Sequence, residues 1–145
     1  VVEACHRHGI RVVPLVGPSS VILAVMASGL NGQSFAFNGY LPVKPPERVQ
    51  AIRRFERRAQ SERQSQLFIE APYRNVKLME QLLQTLAPET RLTLAMDITA
   101  PGEYIRTLPV REWRSVRLPE MNRRPAIFYH RVGMARRLVY NLVRI

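Results

Sequence analysis

Residues 8 to 32 read HGIRVVPLVGPSSVILAVMASGLNG, and this stretch decides the fold. Its apolar, β-branched run from Arg11 to Val16 predicts a strand, and Gly17-Pro18-Ser19-Ser20 predicts a tight turn. The apolar segment from Val21 to Ser28 then predicts a helix that ends at Gly29. In such a unit the first N–H groups of the helix have no partner within it, so a polar or anionic ligand can bind there.

The position of this stretch indicates how the chain is divided. Only one helix-like segment, Val1 to His8, comes before the predicted strand, and the first residue is not Met. We therefore expect residues 1–16 to be the last helix and strand of an N-terminal domain. Residues 17–130 are expected to form one complete C-terminal domain. Residues 131–145 follow as a basic amphipathic tail, which we expect to pack on its own domain or on a partner chain.

Composition excludes several classes of protein. A chain of 145 residues with 46% hydrophobic residues is typical of one globular domain that buries a core. No apolar run approaches the roughly 20 residues needed to cross a bilayer, and no secretory signal opens the chain, so we expect a cytoplasmic protein without membrane contact. The single cysteine, Cys5, excludes an internal disulfide, and its spacing from His6 and His8 predicts no metal site.

Positive charge is the second strong signal. The chain has 22 Lys and Arg residues against 11 acidic residues, and all of the basic residues except Lys44 and Lys77 are arginines. They form clusters at residues 48–63, 111–124 and 131–144. Because a guanidinium binds phosphate through two parallel hydrogen bonds, such a surface favours nucleic acid as a partner. The alternative is an arginine-rich surface that only contacts solvent, because net charge bears on association and not on the fold.

Alternating strands and helices are predicted along residues 35 to 130. The strands are expected at Phe35–Tyr40, Ser65–Ile69, Arg91–Met96, Gly102–Thr107 and Pro125–Tyr129. The helices are expected at Glu47–Glu62, Val76–Leu86 and Val110–Ser115. This alternation predicts an α/β (α+β) fold, in which a mixed sheet of about five strands is flanked by helices.

No motif in the sequence carries a reaction by itself. Glycine-rich nucleotide loops, an HExxH zinc motif and paired cysteines are all lacking, and the catalytic residues stay unknown. No complete GxSxG nucleophile elbow surrounds Ser19 or Ser20, so they are either helix caps or ligand contacts. Glu70 ends an apolar strand, where it either contributes to a site or pairs with Arg74. His130 is expected to be an ordinary residue at the end of the last strand.

Five segments of the sequence occur in an order and at a spacing found in one family. They are GIRVVPLVGPSSVILAVMASGL, FAFNGYLP, QLFIEAPYRN, AMDITAPGEYIRT and RPAIFY. Together they resemble the C-terminal part of the tetrapyrrole methylase superfamily, the class III S-adenosylmethionine-dependent methyltransferases, and most of all its ribosomal small-subunit RNA methyltransferase I group. That group typically has a PGPSA turn, in which Val16 and Ser20 replace the first Pro and the last Ala here. Its E-L-T-K segment becomes Asp97-Ile98-Thr99-Ala100, without the lysine.

The resemblance implies a fold, a cofactor and a site. It implies the C-terminal domain of a two-domain methylase that works as a homodimer and binds S-adenosylmethionine in the cleft between its domains. Carried over to this sequence, the cofactor-binding residues are Ser19, Ser20, Glu70, Ala95, Met96, Pro125 and Ala126. The resemblance also implies methyl transfer to a ribose 2′-hydroxyl of structured ribosomal RNA, which the arginine clusters favour over a tetrapyrrole.

Two other functions stay open at this point. The chain could be a non-catalytic module that dimerises or binds RNA, or part of a methylase that acts on a small tetrapyrrole. The N-terminal domain of the family carries a glycine-rich loop and an acidic segment of the site, and this sequence contains neither. We therefore expect the chain alone to be incomplete as an enzyme and to bind the cofactor weakly or not at all.

Overall fold

The computed structural model describes residues 1–133 of the chain. Its helices are α1 (Val2–Arg7), α2 (Ser20–Ser28), α3 (Pro45–Ser61), α4 (Asn75–Thr85) and α5 (Val110–Trp113). Its strands are β1 (Phe35–Tyr40), β2 (Ser65–Ile69), β3 (Arg91–Met96), β4 (Tyr104–Pro109) and β5 (Ala126–Arg131). A single turn of 3₁₀ helix, Pro72–Arg74, leads into α4. The predicted amphipathic tail lies, from residue 134 onward, outside the described residues.

Five strands form one mixed sheet in the order β1-β2-β5-β3-β4. Strands β1 and β2 are parallel, whereas β5 is antiparallel to both of its neighbours and β4 is antiparallel to β3. The predicted α/β class with a mixed five-stranded sheet is therefore confirmed. The last strand of the described residues, β5, lies at the centre of this sheet, where Phe128 pairs with Phe68 on one side and with Leu94 on the other.

Helices cover both faces of the sheet. On one face α3 packs on β2 and β5, and the larger core there contains Ile52, Phe68 and Phe128. On the other face α2 packs on β3, β4 and β5, and the smaller core contains Ala24 and Ile127. Successive residues of a strand point to opposite faces, so Ile127 and Phe128 belong to different cores. Within residues 1–133, no helix is long and apolar enough to cross a membrane.

Several predicted bounds shift by about two residues. Helix α3 begins at Pro45 rather than at Glu47, because proline needs no N–H partner in the first turn of a helix. Strand β4 begins at Tyr104 rather than at Gly102, because residues 97–103 form consecutive turns. Helix α2 ends where the sequence predicts, at Gly29, which has the left-handed φ of 66° that glycine adopts without steric cost.

The strand predicted for Arg11 to Val16 is wrong. This segment is exposed, with Leu15 90% exposed, and it pairs with no strand of the described residues. An extended run becomes a strand only when a neighbouring strand takes up its backbone hydrogen bonds, and α1 before it offers none. The helix predicted before this segment is confirmed as α1, and a domain boundary near residue 16 stays a prediction.

A buried asparagine fixes the chain segment that leads into the central strand. Asn75, the first residue of α4, has no exposed surface, and its side-chain Nδ2 donates to the carbonyl of Arg124 at 2.6 Å. The N–H of Asp97 donates to the carbonyl of Pro125 at 3.1 Å. The approach to β5 is therefore held by the start of α4 and by the end of β3.

Replacing Asn75 with alanine should lower the free energy of unfolding by about 1–3 kcal/mol, because the carbonyl of Arg124 loses its donor in a partly buried place. Urea denaturation measures this change. Asn122 is exposed and lies in the same segment before β5 as Arg124. Asn122→Ala is therefore the matched control and should change the free energy of unfolding by less than about 0.5 kcal/mol. Equal effects of the two substitutions would show that the Asn75 hydrogen bond does not stabilise the fold.

One histidine is buried at the centre of the sheet. His130 on β5 has no exposed surface, and neither of its ring nitrogens has a hydrogen-bond partner among the described residues. Its ring lies 5.4 Å from that of Phe68, and its cross-strand neighbours are Gln66 and Leu92. Burial disfavours the imidazolium and lowers the pKa of His130 to about 3, so the side chain is neutral in the folded chain.

This burial makes the stability of the fold depend on pH. The unfolded chain protonates His130 near pH 6.5 and the folded chain only near pH 3, so the free energy of unfolding should fall as pH drops through this window. The contribution of His130 to this slope is at most about 1.4 kcal/mol per pH unit. Denaturation of His130→Leu at several pH values should give a shallower slope than the wild type.

His8 supplies the control for this measurement because it is exposed. The variant His8→Asn should keep the wild-type slope. A wild-type slope in His130→Leu would contradict the assignment of a neutral, buried imidazole.

Candidate functional site

All five strands have an end at one edge of the sheet. Strands β1, β2 and β3 end there and β5 begins there, because β5 is antiparallel to β2 and to β3. Together with the start of α2 they surround a cavity of about 360 Å³. We call it the strand-end cavity. Its lining residues are Ser20, Tyr40, Ile69, Glu70, Pro72, Ala95, Asp97, Ile98, Ala100, Pro125, Ala126 and Ile127.

The structure brings most of the sequence-predicted site residues together. Those that line the strand-end cavity are Ser20, Glu70, Ala95, Pro125 and Ala126. Ser19 lies just outside it as the residue before α2, and its side chain makes no capping hydrogen bond. Met96 belongs to the larger core on the opposite face of the sheet, because it follows Ala95 directly in β3. The geometry thus separates Ala95 from Met96, which the sequence alone could not do.

Two residues that the sequence did not single out, Ile69 and Ile127, join Ala95 in the apolar wall of the cavity. Ile69, Ile127 and Ala95 are cross-strand neighbours in β2, β5 and β3, so their side chains form one row on the face that α2 covers. Ile98 adds a further apolar side chain from the loop after β3. The register of the strands is the only signal for this row, because the three residues are far apart in the sequence.

Glu70 provides the buried polar group of the cavity. Its Oε1 accepts hydrogen bonds from Arg74 Nη2 at 2.6 Å, from Arg74 Nε at 2.9 Å and from the N–H of Ala71 at 2.7 Å. These hydrogen bonds raise the pKa of Arg74, so the guanidinium stays charged. The Oε2 atom is buried and has no partner among the described residues. Glu70 therefore pairs with Arg74, which confirms one predicted alternative, and it also keeps an unpartnered acceptor, whereas its contribution to a site stays a prediction.

The rim of the cavity is a strained and cross-linked loop. Asp97 and Thr99 have positive φ angles of 47° and 69°, a conformation that costs a residue other than glycine about 1 kcal/mol or more. The carboxylate of Asp97 holds Arg124 Nε at 2.7 Å, and Arg124 also donates to the carbonyl of Gly102. Glu103 Oε2 accepts from the N–H of Thr99 at 2.7 Å. These contacts fix the loop after β3 to the segment before β5.

The lining suits a ligand with an apolar ring and a hydrogen-bond donor. The isoleucine and alanine row offers a flat apolar wall, and the Oε2 of Glu70 needs a donor such as a hydroxyl or an ammonium group. The start of α2, at Ser20, adds backbone N–H groups that the Ser19 side chain does not cap. An adenosine joined to an amino acid has all of these groups, so the residues present fit S-adenosylmethionine.

A second depression lies on the exposed side of α3. It has a volume of about 580 Å³, and its lining residues are Pro42, Glu47, Gln50, Ala51, Arg53, Arg54 and Arg57. We call it the α3 groove. In the described part of the chain, no carboxylate forms an ion pair with Arg53, Arg54 or Arg57, whereas Arg58 pairs with Glu62 at 2.9 Å. The groove therefore presents three guanidinium groups to an anionic partner.

The chain is similar to known methyltransferases. It is 34% identical over 111 residues to the ribosomal RNA small subunit methyltransferase I of Vibrio cholerae serotype O1, which covers 77% of this chain and 37% of the relative. It is 33% identical over 123 residues to the protein of the same name from Escherichia coli O157:H7, covering 85% of this chain and 42% of the relative. No protein-family model matches the chain.

A solved structure shows the same fold. The crystal structure of the methyltransferase CobJ matches 95% of this chain and 59% of its own, with a TM-score of 0.57 and 20% sequence identity. At this identity the likeness concerns the fold alone.

The chain spans about two fifths of the length of the curated relatives, as the coverage of 37% and 42% shows. Over that span the order of the sequence segments, the mixed sheet and the similarity agree with one another. Over that span the chain is similar to ribosomal RNA small subunit methyltransferase I, the group of the tetrapyrrole methylase superfamily that its sequence segments resemble.

Proposed function

We propose that this protein transfers a methyl group from S-adenosylmethionine to a ribose 2′-hydroxyl of ribosomal RNA. The similarity to ribosomal RNA small subunit methyltransferase I supports both the reaction and the class of substrate. The observation that carries the proposal is the strand-end cavity, because its lining unites five of the seven residues to which the family resemblance assigns the cofactor.

The residues of this chain would hold different parts of the cofactor. The row of Ile69, Ile127 and Ala95 would pack against the adenine, and Glu70 Oε2 would accept from a hydroxyl or from the ammonium group. S-adenosylmethionine, when bound, supplies a methyl group on a sulfonium that is ready for transfer to an oxygen nucleophile.

Such a transfer depends mainly on alignment, and well-oriented groups gain up to about 7–11 kcal/mol in this way. The strained rim and its Asp97–Arg124 ion pair suit this role, because they hold the walls of the cavity at fixed positions.

The cofactor assignment predicts that a bulky side chain in the cavity blocks binding. Ala100 is exposed and lines the cavity, so Ala100→Trp should fill it while leaving both cores intact. Saturation-transfer NMR detects weak ligands and can follow S-adenosylhomocysteine on this chain. The variant should weaken binding at least about tenfold, which corresponds to 1.4 kcal/mol.

Ala87 is also exposed but lies outside the cavity, so Ala87→Trp is the matched control and should bind like the wild type. Saturation transfer that is equal in both tryptophan variants would rule out this cavity as the cofactor site.

Positive charge supports RNA as the substrate. The net charge of the chain is +11, and the α3 groove presents Arg53, Arg54 and Arg57 without ion-pair partners in the described part of the chain. When arginines neutralise phosphates, condensed counterions are released, so the affinity falls as salt rises. The α3 groove is thus the place where we propose that the RNA backbone binds.

Removing these charges should therefore change the salt dependence of RNA binding. Filter binding of a structured ribosomal RNA fragment, repeated at several salt concentrations, gives the slope of log affinity against log salt. Each of Arg53→Gln, Arg54→Gln and Arg57→Gln should reduce the size of this slope by up to about 1.

Arg111 is the control, because Glu89 and Glu112 already pair with it, so Arg111→Gln should leave the slope unchanged. RNA binding by the wild type that does not respond to salt would refute a role of the arginines as phosphate contacts.

A further inference from the structure

We infer that Tyr40 and Tyr73, together with the guanidinium of Arg74, form a platform on which an unpaired base of the RNA stacks at the mouth of the strand-end cavity. The inference rests on the proposed function, because it takes RNA as the substrate. It adds a binding site for a base next to the cavity, separate from the phosphate contacts of the α3 groove.

Both tyrosines are exposed where the fold gives them no reason to be. Tyr40 is the last residue of β1 and lines the cavity, yet it is 63% exposed. Tyr73 is 69% exposed in the 3₁₀ turn that follows Glu70. Rings with this exposure contribute little to the cores, whereas an exposed aromatic face beside a cavity is the surface on which proteins stack unpaired bases.

Arg74 joins the Tyr73 ring to Glu70, which lines the cavity together with Tyr40. Its Cζ lies 5.2 Å from the centroid of the Tyr73 ring, and two hydrogen bonds to Glu70 hold the guanidinium in place. The carboxylate of Glu70 is the main cause that raises the pKa of Arg74, so the guanidinium stays charged beside the Tyr73 ring. A planar cation beside an aromatic ring favours a flat base whose chain carries negative phosphates.

The platform lies on a short path between the cavity and the α3 groove. Tyr40 lines the cavity, and Pro42, two residues later, lines the groove. An RNA strand whose phosphates follow Arg53, Arg54 and Arg57 would therefore pass over Tyr40 before its next nucleotide reaches the cavity. This continuity with a cationic groove is why we assign the platform to RNA and not to a peptide.

The test uses the full chain and a short single-stranded RNA that contains 2-aminopurine, a base whose fluorescence is quenched by stacking. Tyr40→Ala and Tyr73→Ala should each raise the dissociation constant roughly 5- to 100-fold and reduce the quenching. Tyr40→Phe and Tyr73→Phe keep the ring and should stay within about twofold of the wild type. Val43→Ala is the control, because Val43 is an exposed apolar side chain of the loop after β1.

The salt dependence separates this platform from the phosphate contacts. Because stacking releases no counterions, the alanine variants should keep the wild-type salt slope while the affinity falls at every salt concentration.

If both alanine variants keep the full affinity and the full quenching, the platform is overturned while RNA binding itself stands. Phenylalanine variants as weak as the alanine variants would also overturn it, because the hydroxyl and not the ring would then matter. A wild-type chain that does not bind RNA would overturn the proposed substrate and the platform together.

Discussion

The hydrogen bonding of β5 on both of its sides is the interaction on which the described fold depends. Phe128 of this strand pairs with Phe68 of β2 and with Leu94 of β3, so β5 joins the parallel pair β1–β2 to the hairpin β3–β4. Without β5 the two pairs would share no backbone hydrogen bonds within the sheet. Its alternating residues also supply both cores, since Phe128 packs on the α3 side and Ile127 on the α2 side. The strand closest to the end of the described chain therefore holds the sheet together.

The position of β5 between β2 and β3 also builds the candidate site. Because β5 runs antiparallel to its neighbours, its first residues meet the last residues of β2 and β3, and the row of Ile69, Ile127 and Ala95 is completed. The approach to β5 is fixed by Asn75 and by the ion pair between Arg124 and Asp97. The stability of the sheet and the shape of the candidate site thus depend on the same short segment before β5. Contacts with this segment also balance the backbone strain at Asp97.

The sequence could predict the elements but not their neighbours. The strands at Phe35–Tyr40 and Arg91–Met96 follow from local composition and alternation, and both are present with those bounds. The run from Arg11 to Val16 is apolar and β-branched as well, yet it is not a strand, because a strand also needs a partner. Ala95 and Met96 could not be told apart without the register of the sheet. The exposure of Tyr40 and Tyr73 carries no local signal, because only the fold brings the ends of β1 and β2 to one edge of the sheet.

The central claim is that the strand-end cavity binds the methyl donor, and a crystal structure of the chain with S-adenosylhomocysteine tests it most directly. The account predicts the adenine against Ile69, Ile127 and Ala95, with a donor of the ligand within hydrogen-bond distance of Glu70 Oε2. Density for the ligand in the α3 groove or elsewhere on the chain, with Glu70 Oε2 still unpartnered, would contradict the account.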